Sequence, residues 1–240
     1  MATLLEQVLE ANGGLDRWKN LNTFTARIAY GGPFWEFKGQ PDVVGTDLVE
    51  ASLQEQRTRH TQEGTGRVIE YDKKSDRVTV TAADGTLIEE LTNPRASFEG
   101  YTFETQWTLA QMYYFRSYAT WHYLVEPYIF TWPGVETQEV EPWTENGETW
   151  RVLSVTFPSS IDTHNTTQLY YFDAAGHLRR MDYQPEVNGN EPGAHYIRGE
   201  AEVDGFIIPT KRHIHIRNDN RTPDLSWVLI EIDLSDITIA

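Results

Sequence analysis

The chain of 240 residues contains no cysteine. That removes disulfides, thiolate nucleophiles and iron–sulfur clusters from consideration. It also lacks any uninterrupted apolar run of about 18 residues, so nothing reads as a membrane-spanning helix and no stable membrane insertion is expected. Basic residues are few: 20 Lys and Arg stand against 36 Asp and Glu, for a formal charge of −16. Such a surface repels phosphate backbones and argues against a nucleic-acid partner. There is no Gly-x-Ser-x-Gly elbow, no glycine-rich phosphate loop and no His-Glu-x-x-His pattern. The first ten residues carry acid early and lack the basic and apolar regions of a signal peptide, which sets a cytoplasmic location as the expectation.

Aromatic residues are plentiful, at 12% of the chain within a hydrophobic fraction of 39%. The densest stretch runs from Trp107 to Glu126 and is stopped by Pro127. It holds no Gly or Pro and is too long for a typical strand, so it predicts a helix. Its apolar residues point in nearly every direction around the axis, whereas a surface helix would carry one stripe. Arg116 near the middle and the many tyrosines argue against lipid as its surroundings. The pattern describes a helix enclosed by the rest of the protein.

Short alternating segments fill the remainder. A first amphipathic helix, Thr3 to Glu10, is ended by Asn12-Gly13-Gly14, and Leu15 to Asn20 gives a further turn or two. Thr23 to Tyr30 alternates Phe24, Ala26, Ile28 and Tyr30 against polar neighbours, the mark of a half-buried strand. After Gly31-Gly32-Pro33, Phe34 to Phe37 reads as a resumed strand with Trp35 and Phe37 on one face. Val43–Leu53, Gln56–Gln62, Arg67–Tyr71, Arg77–Ala82 and Leu87–Leu91 follow, with Asp84-Gly85 as a hairpin turn. Beyond the aromatic helix come Val135–Trp143, Trp150–Phe157, Thr166–Phe172, His177–Tyr183, Ala194–Val203, Phe206–Arg217 and Trp227–Ile239. The order is a short helix, about five strands, one enclosed helix and about six more strands. No linker divides it. The expectation is a mainly β (α+β) fold in one domain, 1–240. In it a single curved antiparallel sheet forms an incomplete barrel around the aromatic helix.

The opening phrase Glu10-Ala-Asn-Gly-Gly-Leu-Asp-Arg-Trp18, followed by the strand at Thr23 to Tyr30, resembles the LolA-like lipoprotein-carrier superfamily. It also resembles a group of uncharacterised bacterial proteins of about this length. The resemblance implies a half-barrel of antiparallel strands whose concave face is covered by helices and holds acyl chains. The carriers are exported, and this chain shows no export signal, so what carries over is the container rather than its cargo.

Among residues able to do chemistry, His213-Ile-His215 projects two imidazoles from one face of a strand, a spacing that suits a metal only with a third ligand nearby. A two-residue turn at Asp204-Gly205 pairs Tyr196 with His213, Ala194 with His215 and Arg198 with Lys211. That turns His195 to the other face, so no metal site is expected. His122 lies one helical turn before Glu126, the wiring of a general base or of a satisfied core histidine. Arg116 requires a partner, either a core carboxylate or a ligand's acid group, and Arg198 is the other candidate clamp. Asp162 and His164, between Pro158 and Thr166, form a loop pair that could be catalytic, with a solvated turn as the preferred reading.

Buried tyrosine hydroxyls need partners, so the aromatic helix is expected to face something partly polar. The expected function is binding of a small hydrophobic or amphipathic ligand, lipid-like or aromatic, between sheet and helix. Its expected contacts are Trp35, Phe37, Tyr113, Tyr114, Arg116, Tyr118, Trp121, His122, Tyr196, Arg198 and His213, with no cofactor. The alternatives are a cofactor-free lyase, isomerase or cyclase using the same cavity with His122 as base, and a structural protein with a solid core. The residues leave a protein partner undetermined.

Overall fold

The computed structural model describes residues 2–240. Six strands precede the aromatic helix: β1 (Thr23–Gly31), β2 (Gly45–Ser52), β3 (Arg57–Gln62), β4 (Val68–Asp72), β5 (Arg77–Thr81) and β6 (Leu87–Thr92). Seven follow it: β7 (Glu136–Glu145), β8 (Glu148–Thr156), β9 (Thr167–Phe172), β10 (Leu178–Tyr183), β11 (Gly193–Val203), β12 (Phe206–Ile216) and β13 (Ile230–Ile239). Together they form one 13-stranded antiparallel sheet in the order β6-β5-β4-β3-β2-β1-β13-β12-β11-β10-β9-β8-β7. The two meanders join where β1 pairs with β13. The free edges, β6 and β7, are consecutive in the chain. To pass from one to the other the backbone crosses the hollow of the curved sheet, and it does so as a helix. The fold is an open half-barrel that is mainly β.

Four α-helices are present among the described residues. The first two, α1 (Leu4–Ala11) and α2 (Leu15–Trp18), form the opening helix-turn-helix. They lean on one end of the sheet, where Trp18 stacks on Tyr128 at 4.0 Å. Phe34–Phe37 is a helical turn, α3, and not a strand. The physical reason lies in its flanks. Gly32 takes φ +92° and Pro33 is fixed near −75°, which starts a turn, and Gly39 at φ +82° ends it. Helical spacing then buries Phe34 and Trp35 together and leaves Phe37 41% exposed.

The crossing helix, α4 (Leu109–Val125), opens with a capping box in which Thr108 and Gln111 exchange hydrogen bonds with each other's backbone. Every residue from Ala110 to Val125 is buried. It packs against β3 to β6 and is covered on its other sides by segments described below. The inward residues of β1 are Phe24, Ala26, Ile28 and Tyr30, all buried, as the alternation requires. In the second meander β12 begins where the turn at Asp204-Gly205 places Val203 opposite Phe206. Tyr196 pairs with His213, and Ala194 with His215. Arg198 does not pair with Lys211: a bulge gives that place to Gly199. The last strand starts at Ile230, and Trp227 to Leu229 belong to the loop before it.

Gly32 ties α3 to β13. A Cβ there would stand 2.5 Å from the Leu229 carbonyl oxygen and 3.0 Å from the Ile230 Cα, in a backbone conformation that side chains resist. Gly32→Ala is therefore expected to cost about 1–3 kcal/mol, read as a lower urea midpoint. An unchanged midpoint would show that this junction carries no strain-sensitive contact.

Candidate functional site

Burying a helix on all sides forces its polar groups to find partners inside the protein. Arg116 is 1% exposed. Its Nη1 donates to Asp47 Oδ2 at 3.0 Å, its Nη2 donates to the Val43 carbonyl at 2.6 Å, and both side chains of the ion pair are fully buried. The guanidinium lies over the rings of Tyr30 at 4.0 Å and Trp35 at 4.5 Å. His60 Nδ1 sits 3.2 Å from the same Asp47 oxygen. Burial pushes the Asp47 carboxyl up, but Arg116 and His60 outweigh it and hold it below the ordinary carboxylate value. Arg116 is thus paired with a core carboxylate and its charge is spent.

Most of the tyrosine hydroxyls are met by protein. Tyr30 Oη and Thr120 Oγ1 share a hydrogen bond of 2.8 Å. The segment between β8 and β9, residues 158–166, crosses α4 as a strap. On it His164 places Nδ1 3.2 Å from Tyr118 Oη and Nε2 2.7 Å from Tyr123 Oη, and stacks on Tyr183 at 4.0 Å. Asp162 reaches the opposite wall, accepting from Tyr71 Oη at 2.7 Å and Lys73 Nζ at 2.9 Å. Asp162 and His164 are therefore buried fasteners, not a solvated turn. The chain of contacts continues from Tyr123 Oη to Tyr183 Oη at 3.3 Å, then to His195 Nδ1 at 3.2 Å, and from His195 Nε2 to Arg212 at 3.4 Å. Burial pushes the imidazoles of His164 and His195 well below their ordinary value and the hydroxyls of Tyr118 and Tyr123 well above theirs.

His122 Nδ1 donates to Glu126 Oε1 at 2.8 Å, one helical turn on, and its ring meets Phe157 edge-on at 4.8 Å. Its Nε2 has no partner among the described residues, nor have Glu126 Oε2, Tyr113 Oη, Tyr114 Oη and Arg116 Nε. The dyad has the hydrogen bonding of a general base held in one tautomer.

Two adjoining spaces lie beside α4, each with about 20 Å³ of free volume, room for about one water. The inner one is walled by Ile214, Ile230 and Ile232 of the sheet and by Phe115, Arg116, Ala119, Thr120 and Tyr123 of the helix, with Tyr30, Trp35 and Tyr183. The outer one runs on towards Asn188, Pro192 and Leu229 and shares Phe115, Tyr183, Ile214 and Ile230 with the first. His122 lines neither space. Two wider hollows, about 630 and 730 Å³, lie among charged and polar side chains of β2 to β5 and their turns.

Trp35 and Arg116 of the expected contact set meet at the inner space, with Tyr113 beside them, its ring 5.2 Å from the guanidinium and its hydroxyl pushed up to about 12 by burial. Tyr114 and Tyr118 face the strap side, with Tyr114 against Tyr71 at 5.7 Å. Trp121 donates its Nε1–H to the Ser52 carbonyl at 2.7 Å. Phe37 is turned outward by the helical turn and packs on Phe103 at 4.9 Å. Tyr196, Arg198 and His213 sit on the opposite face of the sheet. The pleat aims His195, Ile214 and Arg212 at α4, so their neighbours point away. There Tyr196 Oη donates to Glu145 at 2.7 Å and its ring lies under Arg198 at 4.6 Å, within a cluster of Trp143, Trp150 and Tyr171. Pairing register alone could not say which face the helix occupies. Alternation supplied a missed clue: Ile214, Ile230, Ile232 and Ala119 are the apolar and small residues that wall the inner space.

The neutral buried histidines set a pH dependence. An unfolded histidine takes a proton near pH 6.5, whereas His164 and His195 resist one until much lower pH. The unfolded state then binds more protons, so stability falls as pH drops below 6.5, by up to about 1.4 kcal/mol per unit per histidine. The urea midpoint in 0.5 M salt is expected to fall between pH 7.5 and 5.5, before ordinary carboxylates titrate. A flat midpoint over that range would contradict neutral, buried imidazoles.

No family model matches the chain, and no curated protein sequence does. Solved structures do. A LolA superfamily protein from Nitrosomonas europaea superposes with a TM-score of 0.55 at 12% identity, over 99% of this chain and 94% of that one. A putative outer membrane lipoprotein-sorting protein domain from Vibrio parahaemolyticus gives 0.54 at 11% identity, over 98% of this chain and 90% of that one. At such identities the likeness is one of architecture, and the fold of this chain is LolA-like.

Proposed function

We propose that the chain, as one half-barrel unit, binds a small apolar or amphipathic molecule in the seam between α4 and strands β12 and β13. The observation that carries this reading is the inner space, walled by Ile214, Ile230 and Ile232 and faced across the gap by Ala119 and Thr120, with the outer space adjoining it at Ile214 and Ile230. Along this seam α4 presents the small Ala119 and Thr120 between Phe115, Arg116 and Tyr123. The LolA-like architecture lends support, as does the likeness to the putative outer membrane lipoprotein-sorting protein domain from Vibrio parahaemolyticus. Each space now holds about one water, so occupancy requires the rings they share, Phe115 and Tyr183, to swing and merge them. The His122–Glu126 dyad would favour an enzyme, but it borders neither space, and the binding reading is preferred.

Ala119 is the residue to change. Ala119→Leu fills the seam from the helix side and is expected to weaken retention of a fluorescent acyl probe at least tenfold, about 1.4 kcal/mol. The melting temperature would fall only by the modest cost of overpacking. Equal probe binding by the variant and the original protein would place any ligand elsewhere and overturn the seam.

A further inference from the structure

Resting on that ligand-binding reading, the geometry points to the chemical class the seam accepts: an uncharged molecule that enters head first and presents a carbonyl oxygen to Arg116 Nε. Arg116 lines the inner space. Its Nη1 is engaged by Asp47 and its Nη2 by the Val43 carbonyl, while Nε has no partner among the described residues. A donor on a charged group, buried and unmet, is one a ligand acceptor would relieve. Of the other polar groups on this space, Tyr30 and Thr120 bond to each other, and Tyr123 and Tyr183 bond to each other and to the strap and β11 histidines. Arg116 Nε is the unspent donor.

The acceptor's charge follows from Asp47. The buried Arg116–Asp47 pair is already balanced, so a carboxylate at Nε would add an uncompensated anion to a desolvated interior. A ketone or ester oxygen takes the same hydrogen bond without that cost. The surrounding walls, Ile214, Ile230, Ile232, Phe115 and Ala119, then receive an apolar body. Arg116 thereby reads neutral carbonyl compounds against free acids, the reverse of an acid clamp.

The test compares three probes of matched size on the full chain: 2-octanone, its methylene isostere 2-methyl-1-octene, and octanoate. Headspace partitioning measures the two volatile probes and calorimetry measures octanoate, at pH 7.5. The ketone is expected to bind at least tenfold more tightly than the alkene, and octanoate no more tightly than the alkene. Arg116→Lys keeps a cation for Asp47 but removes the Nε donor, and should bring the ketone-to-alkene ratio to about one. Octanoate binding more tightly than the ketone, or ketone and alkene binding equally to the original protein, overturns the assignment while leaving the seam as a binding site. Binding of none of the three removes the seam and the assignment together.

Discussion

The ion pair between Arg116 and Asp47 is the constraint on which the rest of the structure depends. A sheet whose two free edges are consecutive in the chain must send its backbone through its own hollow, and the helix that makes the crossing is enclosed on every side. Enclosure suits the aromatic rings of α4 but leaves a cation at its centre with no route to water. Asp47 on β2, the Val43 carbonyl and the faces of Tyr30 and Trp35 together answer that charge. Removing one member of such a pair costs about 3–5 kcal/mol, because the other is left buried and alone. The pair ties α4 to β2 and, through the ring of Trp35, to α3.

The polar groups further along the helix are handled by a different device. The strap at residues 158–166 lies over α4 and is fastened at both ends of its reach, by His164 to Tyr118 and Tyr123 and by Asp162 to Tyr71 and Lys73. Arg95 adds a hydrogen bond to the Thr163 carbonyl at 2.9 Å. Sheet, helix and strap thus make three layers, with hydrogen-bonded side chains on the strap side of α4 and apolar side chains with small voids on the β12–β13 side. On the second side the walls are mainly apolar, and the hydrogen bond that reaches α4 from β12 runs from Arg212 Nη2 to the Tyr123 carbonyl at 3.0 Å. That asymmetry supports the proposal of the seam, and not the strap, as the place for a ligand.

Much of this was legible in the sequence, and the failures have physical causes. Alternation named the inward residues of β1, the all-round apolar pattern named α4 as enclosed, and the Asp204-Gly205 turn set the register that pairs Tyr196 with His213. Register does not say which face of a strand is the inside, so Tyr196, Arg198 and His213 were grouped with the helix though they lie across the sheet from it. Phe34–Phe37 is too short for its periodicity to separate a turn of helix from a strand; the left-handed glycines on either side decided it. The tyrosines of α4 implied polar surroundings, but a ligand, water and protein side chains answer a hydroxyl equally well. Here Tyr118 and Tyr123 are answered by His164, a residue distant in the chain, and no local pattern announces such a meeting.

The central claim is that the seam beside Ala119 receives an apolar molecule. Native mass spectrometry of the freshly purified protein, followed by denaturing extraction and identification of anything retained, tests it most directly. The account predicts a stoichiometric adduct that is released on unfolding and proves to be an uncharged, largely apolar compound. A bare mass under conditions that preserve weak complexes would contradict it, and would leave α4 as the filling of a solid half-barrel.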